Sequence, residues 1–342
     1  MVPTRPLGRN GPPVQAIGFG AMSLGGTYSV EKQSDADKVA VLQRAWEIGE
    51  RFWDTADIYM DAEDRIGDWF RQSGKRADIF LATKFGIKFD PEKWTIDFES
   101  SPDYIRAACA RSLKRLGTDY IDLYYCHRAD GKVPIETVVK TMVELKNEGK
   151  IRHLGLSEVS AASIRRAHAV HPIAAVQVDY SPFCLDIEFE KTDVLRTCRE
   201  LGISIVAYGP TGHGLLTGKI KSFEDLPADD FRRTIPRYSP ENFPKITALV
   251  DKINAVAARH GCTNAQVCLA WLLAQGEDII PIPGTKTIKY LEENTAAAEI
   301  ELSADEVAEL RRFSEATVLE GDRYPASMMS VLLGDTPELE TA

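Results

Sequence analysis

Apolar positions along the chain fall into short runs separated by longer amphipathic stretches. Eight runs rich in Ile, Val, Leu and aromatics occur at Val14–Gly20, Phe52–Ala56, Ile79–Lys84, Ile121–His127, Ile151–Ser157, Ala175–Tyr180, Ser204–Tyr208 and Ile279–Pro283. They lack a sustained polar–apolar alternation, as strands covered on both faces do. The stretches between them carry helical periodicity. Ile105, Ala108, Cys109, Ser112, Leu113 and Leu116 lie at i, i+3, i+4, i+7, i+8 and i+11, one face of a helix that Ser101 and Pro102 start and Gly117 stops. Similar stretches cover Asp35–Gly49, Glu136–Glu148, Ala161–Ala169, Phe189–Leu201, Ala265–Ala274 and Lys289–Ala298. A further helical stretch, Phe243–Arg259, precedes the last strand as an insertion.

Strand-then-helix units in succession, with no Pro/Ser-rich linker and no break in composition, predict a single (β/α)8 barrel over residues 1–342. A doubly wound sheet would carry a Gly-rich dinucleotide turn after its first strand. Here Gly18-Phe19-Gly20-Ala21-Met22 lacks the third glycine and no helix follows it. Three stretches exceed plain connectors: Phe85–Ser100, an insertion at about 211–242, and a tail at about 317–342. Loops after strands build the site of such a barrel, so these are expected to act as lids or substrate walls, with the tail over the active-site face.

At 44% hydrophobic and 27% charged residues, the composition excludes disorder as the main state. Forty-one Lys and Arg against 51 Asp and Glu give a net charge of −10, which argues against nucleic acid or an anionic membrane as partner. An anionic ligand would need a locally positive site. The six cysteines contain no C-x-x-C, which fits reduced thiols. No leader-like or membrane-spanning run is present and the six histidines form no ligand cluster at strand ends, so the expectation is a cytoplasmic protein without a metal.

The polar residues at three neighbouring strand ends are a carboxylate and a phenol (Asp54, Tyr59), an ammonium (Lys84) and an imidazole (His127). A lysine near a tyrosine favours the phenolate, and a carboxylate keeps a lysine charged in a dry site. Such a Tyr59 could give a proton to a developing alkoxide while His127 orients the carbonyl. A proton donor without metal or nucleophile fits carbonyl reduction, the hydride coming from a cofactor. Just after the last strand, Pro283-Gly284-Thr285-Lys286-Thr287-Ile288-Lys289 opens a helix where backbone N–H groups, hydroxyls and lysines could meet a phosphate.

Asp54-Thr-Ala-x-x-Tyr59, Thr83-Lys84, Asp122-Leu-Tyr-Tyr-x-His127-Arg, Gly155-Leu-Ser157 and Pro283-Gly-Thr-Lys286 together resemble the aldo-keto reductases, from about Pro6 to Phe313. The chain looks most like the microbial and plant branch that includes pyridoxal reductase and auxin-induced-type proteins. The resemblance implies a (β/α)8 barrel that binds NADPH/NADP+ without a Rossmann domain, with Asp54, Tyr59, Lys84 and His127 as the catalytic tetrad. It implies that Gly284, Thr285, Lys286, Glu293 and Asn294 hold the phosphate-ribose and adenine. Tyr208 would stack on the nicotinamide, Ser157 and Gln177 would bond its carboxamide, and Gly20, Ala21 and Met22 would touch its ribose. The loop carrying Gly209, Pro210, Gly212, Gly214 and Leu215 would lie over the pyrophosphate. Four positions depart from the family pattern: Glu158 stands where Asn is usual, Gly209 for Ser, His213 for Arg, and Met60 for Gly. The activity implied is reduction of an aldehyde or ketone, with Tyr28, Phe85, Trp94 and Tyr125 as candidate walls for an aryl or pyridoxal-like substrate. A cofactor-sensing binding module, like the potassium-channel β-subunits that share the fold, is the alternative.

Overall fold

The computed structural model describes residues 2–25, 33–90 and 95–340. One parallel sheet contains eight strands in chain order: β1 (Phe19–Gly20), β2 (Phe52–Asp54), β3 (Phe80–Phe85), β4 (Ile121–Cys126), β5 (Ile151–Ser157), β6 (Ala175–Asp179), β7 (Ser204–Tyr208) and β8 (Ile279–Pro281). The first and last strands meet. Gly18 N–H donates to the Pro281 carbonyl at 2.9 Å, Gly20 N–H to that of Pro283 at 3.1 Å, and Gly20 bridges Gly284 in parallel. The sheet therefore closes into a barrel. A Cβ on Gly20 would lie 2.8 Å from the Ile282 carbonyl oxygen, so the closure needs glycine there.

Helices wrap the outside: α1 (Asp35–Glu47), α2 (Ala62–Ser73), α3 (Pro102–Leu116), α4 (Ile135–Asn147), α5 (Ala161–Val170), α6 (Val194–Leu201), α7 (Phe243–His260), α8 (Asn264–Leu273), α9 (Ile288–Ala296) and α10 (Ala304–Ala316). The two-residue period of the strands divides their side chains between two cores. Phe52, Ala82, Leu123, Tyr125, Ala175, Val206 and Ile280 fill the barrel, while Trp53, Leu81, Tyr124, Leu154, Val176, Ile205 and Ile279 pack against the helices. α3 starts and stops as its sequence predicts. The Ser101 hydroxyl accepts from Tyr104 N–H, Pro102 opens the first turn, and Gly117 is left-handed at φ 62°.

Several boundaries move. The expected strand Val14–Gly20 is split: Pro13–Gln15 pairs antiparallel with Thr4–Pro6, and only Phe19–Gly20 joins the barrel. That hairpin sends Leu7 and Val14 into the barrel interior. The helix expected from Phe189 begins at Val194, because Asp193 at φ 54° interrupts it. α2 and α10 were not among the expected helices. The connector Phe85–Ser100 contains an antiparallel pair, Ile87–Asp90 with Thr95–Phe98. The insertion at 211–242 holds four 3₁₀ turns, and the tail crosses the rim, Gly334 bridging Val159. Among the described residues no helix is long and apolar enough to cross a membrane.

Candidate active site

β2 delivers Asp54 to the rim, and the chain beyond it stays on β3: Thr55 N–H donates to Ala82 O at 2.9 Å and Asp57 N–H to Lys84 O at 3.2 Å. Lys84, 0% exposed, sends its ammonium to Asp54 Oδ1 and to the Thr55 carbonyl at 2.8 Å. Gln177 Nε2 donates to the other oxygen of Asp54 at 2.8 Å. Lys84 Nζ lies 5.1 Å from the centre of the Tyr59 ring. The His127 ring stands edge-on to Tyr59, 5.8 Å away at 86°. The four side chains expected from three strand ends thus form one cluster.

Burial pushes the Lys84 ammonium below and the Asp54 carboxyl above their ordinary values, and each charge opposes the other's shift. The Tyr59 phenol is pushed up, first by burial and then by the Asp54 charge, with Arg128 acting in the opposite sense. The expectation that Lys84 makes Tyr59 more acidic is therefore not met. Burial and the Asp54 charge decide the direction, and Tyr59 holds its proton at neutral pH. Burial, Arg128 and Lys84 together hold His127 well below the usual imidazole range, so its ring is neutral. His127 Nδ1 is buried without a hydrogen-bond partner among the described residues.

The turn carrying Tyr59 is fastened from outside the barrel. Arg115, near the end of α3, donates to the Asp57 carbonyl at 2.9 Å and also reaches the Met60 carbonyl. Met60 is left-handed at φ 47° and its side chain is 64% exposed. That backbone favours glycine, which gives a physical reason for the residue usual there.

The residues expected to hold the cofactor lie at and just after the end of β1, at the end of β5, on β6, at and after the end of β7, and ahead of and within α9. Ala21 N–H donates to Asp54 O at 2.8 Å, and Met22 opens a 3₁₀ turn. Ser157 Oγ accepts from Arg128 at 3.0 Å, and Tyr208 donates its hydroxyl proton to Glu158 at 2.9 Å. In the loop after β7, Gly209, Gly212, Gly214 and Gly218 all have positive φ. Pro210 is buried in that loop, and the Leu215 side chain is buried in the outer core. Thr285 is buried just ahead of α9 and Asn294 within its second half, while Gly284 is open: a Cβ there would meet nothing closer than 3.6 Å. Lys286 sits in the turn leading to Thr287, whose hydroxyl caps α9. The Glu293 carboxylate accepts from Thr263 at 2.8 Å, at the start of α8.

Two candidate substrate walls are corrected. Phe85 is 0% exposed and packs on Tyr124 at 5.0 Å in the helix-facing core; Lys84 points inward, so its neighbour must point out. Tyr125 is also 0% exposed and fills the barrel below Lys84, tight enough that a Cβ on Gly155 would fall 2.4 Å from its ring. Tyr28 and Trp94 lie outside the described residues. Sequence reasoning missed Arg128, buried beside His127, and the pairing of Glu158 with Arg323 of the tail. The Arg128 signal was available, since it directly follows His127.

The sequence model of the Aldo/keto reductase family matches residues 16–315. The chain is 51% identical over 343 residues to aldo-keto reductase str7 of Strobilurus tenacellus, covering 99% of each. It is 48% identical over 340 residues to aldo-keto reductase yakc [NADP(+)] of Schizosaccharomyces pombe, again covering 99% of each. Among solved structures it is similar to a glycerol dehydrogenase of Gluconobacter oxydans, with TM-score 0.83 and 27% identity over 93% of this chain and 97% of that one. A holo aldo-keto reductase of Bacillus halodurans matches with TM-score 0.71 and 26% identity, over 95% of this chain and 99% of that one. With a barrel closed through Gly20 and these full-length relatives, the chain belongs to the aldo/keto reductase family.

Proposed function

We propose that this protein reduces an aldehyde or ketone to the alcohol with NADPH. The observation that carries the reading is the buried Asp54–Lys84 pair set 5.1 Å from the Tyr59 ring centre, with a neutral His127 beside it. The rim suits the dinucleotide: positive-φ glycines allow close backbone approach, and Lys219 and Lys289 meet at the Tyr290 ring, a local gathering of cations in a chain of net charge −10. Gly284, Thr285, Lys286, Glu293 and Asn294 would hold its 2′-phosphate and adenosine. Gly20, Ala21, Met22, Ser157, Gln177, Tyr208 and the loop from Gly209 to Leu215 would hold the rest. The NADP(+) in the name of the Schizosaccharomyces pombe relative supports NADP(H) as the form used.

When bound, NADPH supplies the hydride that reduces the carbonyl carbon. Tyr59, still protonated, gives its hydroxyl proton to the carbonyl oxygen, so C=O plus hydride and proton becomes CH–OH. The Lys84 ammonium, held by Asp54 and the Thr55 carbonyl, steadies the phenolate left on Tyr59. His127, neutral, orients the carbonyl by hydrogen bonding. Asp54 acts by keeping Lys84 charged in a dry pocket.

Initial rates of NADPH consumption with a panel of aldehydes and ketones test this. Consumption should depend on the added carbonyl compound. It should not fall between about pH 7.5 and 5.5, because His127 is already neutral throughout that window. On the alkaline side the rate should decline as Lys84, whose ionisation burial brings down, loses its proton. Bound NADPH with no carbonyl-dependent consumption would overturn catalysis and favour the cofactor-sensing reading.

A further inference from the structure

Glu158 follows the last residue of β5 in a left-handed backbone, φ 52°. A bulky side chain keeps that conformation only where its surroundings impose it. Its N–H donates to the Gln177 carbonyl at 3.1 Å, and its own carbonyl accepts from Gly334 of the tail at 3.1 Å. The side chain is 0% exposed, where a lone carboxylate would be costly. Arg323, also on the tail and itself buried, meets it with both terminal nitrogens, at 3.2 and 2.8 Å. Arg323 Nε in turn lies 3.1 Å from Asp186 Oδ2. Glu158 Oε1 takes two further donors, the Asp179 N–H at 3.0 Å and the Tyr208 hydroxyl at 2.9 Å. The nearby Arg128 hydrogen-bonds to Ser157 Oγ and the His127 carbonyl instead. One carboxylate thus ties the tail to the ring of Tyr208.

We propose that Arg323 is a positioning residue for the nicotinamide platform: it neutralises and fixes Glu158, which holds Tyr208, so the tail sets the balance between oxidised and reduced cofactor. This rests on the reading of Tyr208 and Ser157 as nicotinamide contacts. The oxidised ring carries a positive charge that the reduced ring lacks. A bare carboxylate one hydroxyl away from its platform would favour the oxidised form, whereas pairing with Arg323, which Asp186 shares, offsets that bias. A tail that merely covers the rim would act on both forms alike.

The test is binding without turnover: fluorescence titration of the full chain with NADP+ and with NADPH separately, no carbonyl compound present. In Arg323→Met the ratio of the NADPH Kd to the NADP+ Kd should rise by about tenfold. In Glu158→Gln, which leaves Arg323 without that partner, the ratio should move the opposite way. The double variant should return to within about twofold of wild type. Equal weakening of both forms in the single variants, or an unchanged ratio, would overturn the proposal. Should Arg323→Met fail to fold, the direction of the Glu158→Gln shift decides. Wild type that binds neither form would sink the cofactor reading itself; wild type that binds both with a ratio insensitive to these variants would sink only the role of Arg323.

Discussion

Replacing Lys84 by Met is expected to lower kcat/KM for carbonyl reduction by about 10³-fold and to destabilise the fold by about 3 kcal/mol. The two losses have different causes. The ammonium lies 5.1 Å from the centre of the Tyr59 ring, so without it the phenolate left by proton transfer keeps only the charge of Arg128 to offset it. The stability loss comes from Asp54, 2% exposed, which would keep only the Gln177 amide as a side-chain partner. The double variant Asp54→Asn, Lys84→Met removes both charges, and loss of a whole buried pair is often nearly neutral. Its unfolding free energy in urea should therefore return to within about 1 kcal/mol of wild type while activity stays lost. Equal destabilisation of the single and double variants would contradict the pairing, and recovered activity in the double variant would contradict the role of Lys84.

Replacing Gly67 by Ala is the second large effect. Helix propensity alone gives a gain of about 1 kcal/mol for Gly to Ala within α2. Packing reverses the sign. A Cβ at Gly67 would lie 2.3 Å from the Arg115 carbonyl oxygen and 3.0 Å from the Leu116 carbonyl carbon, both backbone atoms of α3 that have no rotamer to give way. The expected outcome is a loss of about 2–3 kcal/mol in urea unfolding. Gly74→Ala serves as contrast: nothing lies within 4 Å of that position, and only its φ of 67° opposes a side chain, at about 1 kcal/mol. Because Arg115 also fastens the turn of Tyr59, Gly67→Ala should lower kcat as well, whereas Gly74→Ala should not. A stabilised Gly67→Ala would show that α2 and α3 separate freely.

What could be read in the sequence follows from which forces are local. β5 and β7 appear with their observed bounds, Ile151–Ser157 and Ser204–Tyr208, since strands buried on both faces are continuous apolar runs. The split at Val14 was not foreseen, although Asn10-Gly11 just before it is a turn signal and Asn10 is indeed left-handed. α10 was missed despite its Ser303…Glu306 capping box. The four polar side chains were legible because a barrel brings successive strand ends, here three, to one rim. Phe85 failed for a reason that strand periodicity already contained: it alternates with the inward Lys84. The Tyr59 ionisation is not legible in the sequence, because the desolvation of a phenol depends on packing that no motif reveals. The Glu158–Arg323 pair, 165 residues apart in sequence, needed the course of the tail.

The most direct measurement is single-turnover loss of NADPH absorbance on mixing the loaded protein with an aldehyde, comparing wild type with Tyr59→Phe. The phenylalanine ring keeps the packing against His127 and removes only the transferable proton. A rate at least about 10²-fold slower in the variant, with NADPH affinity unchanged, is the predicted result. Equal rates in the two proteins would contradict it, because the proton would then come from somewhere other than Tyr59.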